Sequence, residues 1–337
     1  LDNQQRAVKV IMNSLYGVLA WNRFRLYDQD GARATTATGR EVLGFTAEVS
    51  EEMGYPVLYG DTDSVLLNMD DSLSRDEVIK ASFEVEDRIN ERYDDFASEE
   101  LNAESHHFDI EFEKLYERFF QSGSKKRYAG RIRWKEGKDV DDIDITGYEY
   151  RRSDSSPLGN ETQKKVLEMI CEDADASEVA GYISKWLRRM DRRDVELEKI
   201  GIPEGIGRQM DDYSSPTHSV RAAKVSNLLL GTSFTSGSKP RRYYLTDVHD
   251  MLFAELEREG TVNPERDPVY QDVVNDDGPR YIAVTQAEEL PGECQIDWAR
   301  HKKNCLKQTL SSITDALGLD WDELDSRSTQ KGLDEFV

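Results

Sequence analysis

The stretch "LYGDTDSVLL" at 58–67 restricts this chain more than any other. Two short apolar runs, 57–59 and 65–67, stand five residues apart, with Gly60 leading into Asp61, Thr62, Asp63 and Ser64. Short β-type runs about a polar, glycine-led centre predict a β-hairpin with both aspartates at its tip. Residues i and i+2 face one side of a strand, so this reading sends both carboxylates to a common point. Two anions that close ionise less readily unless a cation lies between them. Magnesium, which prefers hard oxygen ligands, is the natural cation, and a pair of such ions suits a phosphoryl transfer. A lone D-x-D is more often a plain turn, since Asp favours turns. The flanking apolar strands shift the balance here.

Composition decides how the remaining charge is weighed. The formal net charge is −23, from 44 Lys and Arg against 67 Asp and Glu, and the acids are spread along the whole length. Taken alone, this argues against a nucleic-acid binder, whose surface carries a basic surplus. Arginine outnumbers lysine 27 to 17. A dispersed acidic surface poor in lysine suits strong salt, where the Debye length is short. The expectation is a halophile's cytoplasm, and local clusters must then decide the partners. One is "SKKRYAGRIR" at 124–133, with Lys125, Lys126, Arg127, Arg131 and Arg133 inside nine residues and Tyr128 interleaved. That density in an acidic chain predicts a tracked phosphate backbone; the plain alternative is a strand edge protected by lysine. No run of about 18 apolar residues occurs, so no membrane span is expected. Cys171, Cys294 and Cys305 are far apart and form no C-x-x-C, which predicts neither a zinc ribbon nor a disulfide framework.

Periodicity organises the rest. Val8, Met12, Leu15 and Leu19 recur at helical spacing, so 2–16 reads as a helix broken at Gly17. On it Lys9, Asn13 and Tyr16 share a stripe opposite the apolar one. They offer an ammonium to phosphate oxygens, an amide to polar edges and a ring to a base. A solvated face carrying one aromatic is an equally good reading. A second helix spans 39–53 and ends at Gly54 and Pro56. Helix is expected again at 75–96, then strands from 108 to 150 ("FDIEF", "RYAGRIRW", "DIDITGYEY"), then helices at 160–173, 176–192, 216–230 and 297–317. His106 and His107 read as surface residues, and the polar tail from 322 as loose.

Taken in order, these motifs carry a resemblance. "KVIMNSLYG" followed by "YGDTDS" is similar to the fingers-helix and catalytic-hairpin motifs of family B DNA polymerases, in their archaeal replicative branch. Similarity continues through "KKRYAG" (125–130), "TGYEYRRSD" (146–154), "NETQKKVLEMI" (160–170), "PTHSVRAAK" (216–224) and "TQKGLDEF" (329–336). The resemblance implies an α+β fold: part of a right-hand polymerase, with an antiparallel sheet and helices in the palm and a mainly helical thumb. It implies the end of the fingers at 1–22, palm at 23–149, thumb at 150–321 and a flexible tail with a clamp-binding peptide at 322–337. It makes Asp63 the stronger ligand of two catalytic Mg2+ ions, Asp61 its neighbour in the catalytic pair, and Glu113 an acid near the metals. Lys9 then touches the triphosphate of an incoming dNTP, while Asn13 and Tyr16 line the pocket of the nascent base pair. Lys125, Lys126, Arg127, Tyr128 and Arg152 become contacts to primer–template DNA. "RRSD" departs from the family's R-R-D spacing, with Ser153 where a second Arg is common. Gln330, Leu333 and Phe336 resemble the peptide that hooks archaeal polymerases onto a PCNA-like sliding clamp, although Val337 stands where a second aromatic is common.

Family B polymerases also place an aspartate upstream, in a D-x-x-S-L-Y-P-type motif, and no such motif occurs here. The expectation is therefore the C-terminal part of a DNA-directed DNA polymerase, inactive until joined by an N-terminal portion that completes the site. The competing expectation is a non-catalytic DNA- and clamp-binding module. It would keep the basic hairpin and terminal hook but need neither Asp63 nor Lys9.

Overall fold

The computed structural model describes residues 2–247, 253–263, 265–274 and 280–329. Gln330, Leu333 and Phe336 lie outside them. The chain divides into two compact units, Leu1–Leu115 with Trp134–Asp139, and Tyr116–Arg133 with Val140–Val337.

The first unit opens with α1 (Asp2–Leu19), which runs through Gly17 instead of stopping there. Nothing lies near a Cβ added at that glycine, so the helix tolerates it at about 1 kcal/mol. The apolar stripe of α1 faces no core: Ile11 and Met12 are 67% and 65% exposed. Helix α2 (Gln29–Glu52) begins ten residues before the expected 39, because Asp28 caps it, its Oδ1 accepting the Gly31 N–H at 2.9 Å. Past its end, Gly54 takes φ +89, the left-handed stop that glycine allows. Helix α3 (Arg75–Glu99) starts on a capping box between Ser74 and Glu77. Phe45 and Val49 of α2 meet Val85, Ile89, Tyr93 and Phe96 of α3 to make this unit's core. Between the two helices in sequence lie β1 (Val57–Asp61) and β2 (Ser64–Leu67).

"FDIEF" at 108–112 is not a strand. It alternates as a strand would, but its backbone is satisfied by side chains of α3. Asn90 Oδ1 accepts from Ile110 N–H and Asn90 Nδ2 donates to Ile110 C=O, both at 2.9 Å, while Glu86 Oε2 accepts from Phe112 N–H at 2.6 Å. Nor is His106 a surface residue. Its side chain is 14% exposed, its ring stacks on Phe108 at 5.0 Å, and Nε2 lies 2.8 Å from Asp94 Oδ1. His107 is exposed, as expected.

β3 (Lys114–Gln121), β4 (Tyr128–Lys135) and β5 (Lys138–Thr146) form a three-stranded sheet in that order. Just beyond β5, Gly147 has φ +78, and a Cβ there would stand 1.7 Å from the Lys126 carbonyl oxygen. Only glycine lets the β5 exit cross so close to the turn that carries the lysines.

The second unit continues with α4 (Pro157–Cys171), α5 (Ala176–Asp191), α6 (Leu197–Ile200) and α7 (His218–Leu229). A small antiparallel sheet orders β6 (Ile202–Pro203), β7 (Arg241–Asp247) and β8 (Tyr281–Val284), with β9 (Gln295–Ile296) also on β7. Short helices α8 (Ala254–Arg258) and α9 (Pro268–Val274) precede β8. After β9 come α10 (Trp298–Lys302), a π-helical turn at Lys303–Lys307, and α11 (Gln308–Ala316). Leu158, Leu167, Ile183, Leu187, Leu306 and Ile313, each without solvent exposure, interlock in its core. Last is α12 (Trp321–Thr329), where a loose tail was expected. Leu324 is 2% exposed in that core, and Lys302 bridges Asp325 of α12 and Asp191 of α5 at 2.8 and 2.7 Å. Trp321 packs on the same core and Ser184 Oγ donates to the Leu324 carbonyl, so several contacts order this helix.

Candidate active site

The hairpin pairs β1 and β2 antiparallel, Gly60 opposite Val65 and Asp61 opposite Ser64, so only Thr62 and Asp63 form the loop. The loop is very tight. Asp63 N–H donates to the Asp61 carbonyl at 2.6 Å, and Thr62 adopts φ +58. A β-branched residue is rarely held in the left-handed region. Such strain costs of order 1–3 kcal/mol and gathers at ligand clamps. Thr62 Oγ1 donates to Asp61 Oδ1 at 3.0 Å, and Ser64 Oγ donates to the Asp61 carbonyl at 3.3 Å. The strand-alternation argument for the two carboxylates therefore does not apply. Asp61 closes β1 while Asp63 sits in the turn, and the three-residue turn, not a shared strand face, keeps them adjacent. Asp61 is half-buried and Asp63 exposed.

Two hard carboxylates, one open to solvent, fit a magnesium ion, which keeps several waters and binds through one or two carboxylates plus substrate phosphates. Glu113 is not gathered with them. Among the described residues no group of three or more His, Cys, Asp or Glu is placed to hold a metal. The Glu113 side chain is 59% exposed and pairs with its neighbour Lys114 at 3.3 Å. On α1, Lys9, Asn13 and Tyr16 lie at helical spacing, and all three are exposed. The Lys9 ammonium makes no ion pair among the described residues.

In the second unit the basic cluster separates into two kinds of cation. Arg131 and Arg133 are engaged across the sheet: Arg131 Nε donates to Asp141 Oδ1 at 2.9 Å and Arg133 Nε to Glu117 Oε2 at 2.8 Å, with Arg133 Nη1 3.0 Å from Asp141 Oδ2. The Arg131 hydrogen bond, above all, holds the Asp141 carboxyl below the usual range. The prediction of five phosphate contacts in a row thus narrows, because three of the five, Arg127, Arg131 and Arg133, already face acids. Sequence reasoning missed this, since Glu117 and Asp141 come from neighbouring strands whose register it could not supply. Arg127 Nη2 donates to Glu149 Oε1 at 2.5 Å, and Arg152 holds Asp154 through two bonds of 2.9 and 2.6 Å. Lys125 is exposed at the turn before β4, Lys126 beside it has φ +63, and Tyr128 stacks on Phe119 at 5.3 Å.

Comparison with known proteins adds a second line of observation. A family model, DNA polymerase family B, matches residues 1–227. DNA polymerase 2 of Aeropyrum pernix is 33% identical over 66% of this chain and 24% of its own length. The DNA polymerase of Archaeoglobus fulgidus is 34% identical over 66% of this chain and 25% of its own. The chain spans about a quarter of the length of these curated relatives. Among solved structures, the family B DNA polymerase from the hyperthermophilic archaeon Pyrobaculum calidifontis shares the fold over 95% of this chain and 34% of that one, with a TM-score of 0.61 at 21% identity.

Proposed function

The chain belongs to DNA polymerase family B, and from that membership we propose that it is part of a DNA-directed DNA polymerase. It serves template-directed addition of dNTPs to a primer 3′-hydroxyl in DNA replication. The observation that carries this reading is the strained turn at 61–63, which presents Asp63 to solvent beside Asp61 within the region that matches the family. Asp63 and Asp61 would hold divalent magnesium. When bound, the metal neutralises charge on the attacking and leaving oxygens of the transferred phosphoryl group. Lys9 offers the triphosphate an ammonium that makes no ion pair among the described residues, and Asn13 and Tyr16 line the pocket of the new base pair. Lys125, Lys126 and Tyr128 track the duplex backbone without reading sequence, as a copying enzyme requires. At Arg127 and Arg152, phosphate first has to compete with their acids, Glu149 and Asp154, for the guanidinium groups. Further partners are a PCNA-like clamp, through Gln330, Leu333 and Phe336, and the polymerase portion bearing the remaining catalytic aspartate.

Calorimetric titration of dATP with Mn2+ tests the reading. Asp63→Ala weakens metal-dependent binding at least tenfold and leaves the melting temperature in place. Equal binding by both proteins overturns the assignment. A primer-extension assay tests the partial site: the 337-residue chain alone makes no product, and adding a polypeptide with the missing aspartate motif restores synthesis. Robust synthesis by the chain alone refutes that part of the proposal.

A further inference from the structure

The acid that faces Arg127 is anchored from behind by a buried neutral side chain. Glu149 sits on the short helical turn Glu149–Arg151, where Arg152 N–H donates to the Glu149 carbonyl at 2.6 Å. Two residues before it, Gly147 is pressed against the Lys126 carbonyl, so the Glu149 backbone is held against the turn that carries Arg127. One carboxylate oxygen, Oε1, accepts from Arg127 Nη2 at 2.5 Å, and the other, Oε2, accepts from Gln163 Nε2 at 3.1 Å. Gln163 is fully buried. Its amide nitrogen carries two hydrogens, and it also donates to the Thr309 carbonyl of α11 at 2.7 Å. Gly159 lies one helical turn before Gln163 on the same face of α4. A Cβ at that glycine would stand 2.8 Å from the Cys305 carbonyl oxygen and 3.1 Å from the Thr309 hydroxyl, so this face of α4 is packed closely on the start of α11.

The Arg152–Asp154 pair has no such anchor. Both side chains are exposed, at 60% and 42%, and they lie two residues apart on one stretch of chain. Water and salt screen an exposed pair of that kind, and both side chains lose freedom in making it, so it is a weak competitor. For Arg127 and Glu149 the exposures are 33% and 25%. The Glu149 carboxylate also loses little freedom on pairing, because Gln163 and the helical turn have already oriented it. It meets the guanidinium as a phosphate oxygen would. A DNA backbone arriving at the turn thus finds Arg127 holding an anion that the fold keeps in place.

We propose that Glu149 is an internal stand-in for a DNA phosphate, held on Arg127 by Gln163, and that these two positioning residues withhold Arg127 from the duplex until a phosphate displaces the carboxylate. The inference rests on the polymerase reading only in taking that phosphate to belong to primer–template DNA. Once displaced, the carboxylate keeps the Gln163 amide as a donor and is partly open to water, so it is not stranded. Lys125, exposed at the same turn, makes no ion pair among the described residues and is open to phosphate throughout. The turn combines one standing contact with one that exchanges between an internal and an external acid. A duplex can then shift past it without every contact breaking together.

Fluorescence anisotropy with the full 337-residue chain tests it, using a labelled 20-base-pair duplex and labelled inorganic polyphosphate. Glu149→Gln keeps an acceptor for Gln163 but removes the charge that competes for Arg127. It tightens binding of both probes by roughly fivefold, the equivalent of an ion pair at the upper end of the exposed range. It also steepens the salt dependence of duplex binding by about 0.9 in log–log slope, the mark of one additional phosphate contact. Asp154→Asn removes the same charge from the unanchored pair and changes affinity by less than about twofold. Arg127→Gln added to Glu149→Gln abolishes the gain. Gln163→Met, which frees the carboxylate without removing it, reproduces part of the gain. Unchanged or weaker binding by Glu149→Gln overturns the proposal, as does a gain that survives Arg127→Gln. Equal gains from Glu149→Gln and Asp154→Asn overturn it too, because they report only a lost negative charge. A gain on polyphosphate with no duplex binding by any variant sinks the DNA reading and leaves the held acid standing. Duplex binding without a gain sinks this inference alone.

Discussion

The leading segment of the first unit and the interior of the second treat their side chains in opposite ways. In the second unit, leucines and isoleucines of α4, α5 and α11 are sealed from water. Several of its cations are matched as well: Arg131 and Arg133 with Asp141 and Glu117, Lys302 with Asp191 and Asp325, Arg242 with Glu204. Along α1 and the 20–28 loop, Val10, Ile11, Met12 and Trp21 are more than half exposed, and Lys9, Arg23 and Arg25 have no acid partner among the described residues. A side chain matched within the chain contributes to the fold. One left unmatched on an ordered backbone contributes free energy only when something from outside arrives. The comparison therefore divides residues whose replacement lowers stability from residues whose replacement lowers binding.

The largest effect belongs on the sealed side. Leu187→Ala removes a side chain with no solvent exposure, and the cavity and transfer terms together destabilise by about 4 kcal/mol. A urea midpoint shift worth less than about 1.5 kcal/mol would show this core to be loose and erase the contrast. Next comes Gly147→Ala. Its Cβ cannot occupy a point 1.7 Å from the Lys126 carbonyl, so the turn bearing Lys125 must move, at about 3 kcal/mol. Duplex affinity should fall together with the melting temperature, because that turn carries the proposed DNA contacts.

His301 gives the same side a pH signature. The ring is fully buried, and its Nε2 accepts the Tyr244 N–H at 2.9 Å. Desolvation, aided by the Arg242 and Arg300 charges, pushes its pKa from 6.5 down to about 3. The unfolded chain binds a proton below pH 6.5 that the folded chain refuses. The stability this ring contributes is present above pH 6.5 and is lost as the pH falls toward about 3, at ~1.4 kcal/mol per pH unit. Against His301→Gln, which keeps an acceptor for Tyr244, the parent should lose roughly 2 kcal/mol more between pH 6.5 and 5. Parallel stability curves for the two proteins would mean that His301 titrates normally.

How much of this was legible in the sequence depends on whether a partner lay nearby along the chain. The helix and strand types of β1, β2, α3, α4, α5 and α7 follow from local periodicity and were readable, as was the mixed helix-and-sheet architecture. The start of α2 was missed although Asp28 and Gly31 were in view, because the small residues of "GARATTATG" carry no apolar stripe. "FDIEF" misled because a period of two reports an extended chain, not what satisfies its backbone. Here Asn90 and Glu86, twenty and twenty-six residues upstream of their partners, do so. The adjacency of Asp61 and Asp63 was foreseen but its geometry was not, since nothing in a threonine announces φ +58. The pairing of Arg131 and Arg133 needed strand register, which composition does not contain. Local patterns thus name the elements, and distant partners decide which charges remain available.

The smallest expected effect is the one that tests the comparison most sharply. Ile11→Ser and Met12→Ser replace two of the most exposed apolar side chains on α1. Neither contributes to a core cluster, so each should change the unfolding free energy by no more than about 0.5 kcal/mol, the ordinary range for a surface substitution. Serine is a modestly poorer helix former than isoleucine or methionine, a difference of a few tenths of a kcal/mol, which sets the floor of what is seen. A loss well beyond that means the face is covered in solution. Concentration then decides by what: if the excess loss shrinks on dilution, a second copy of the chain supplies the cover, because only an associating partner makes stability depend on protein concentration. If the loss is independent of concentration, α1 packs against its own chain, and the unmatched side of the comparison shrinks to the 20–28 loop.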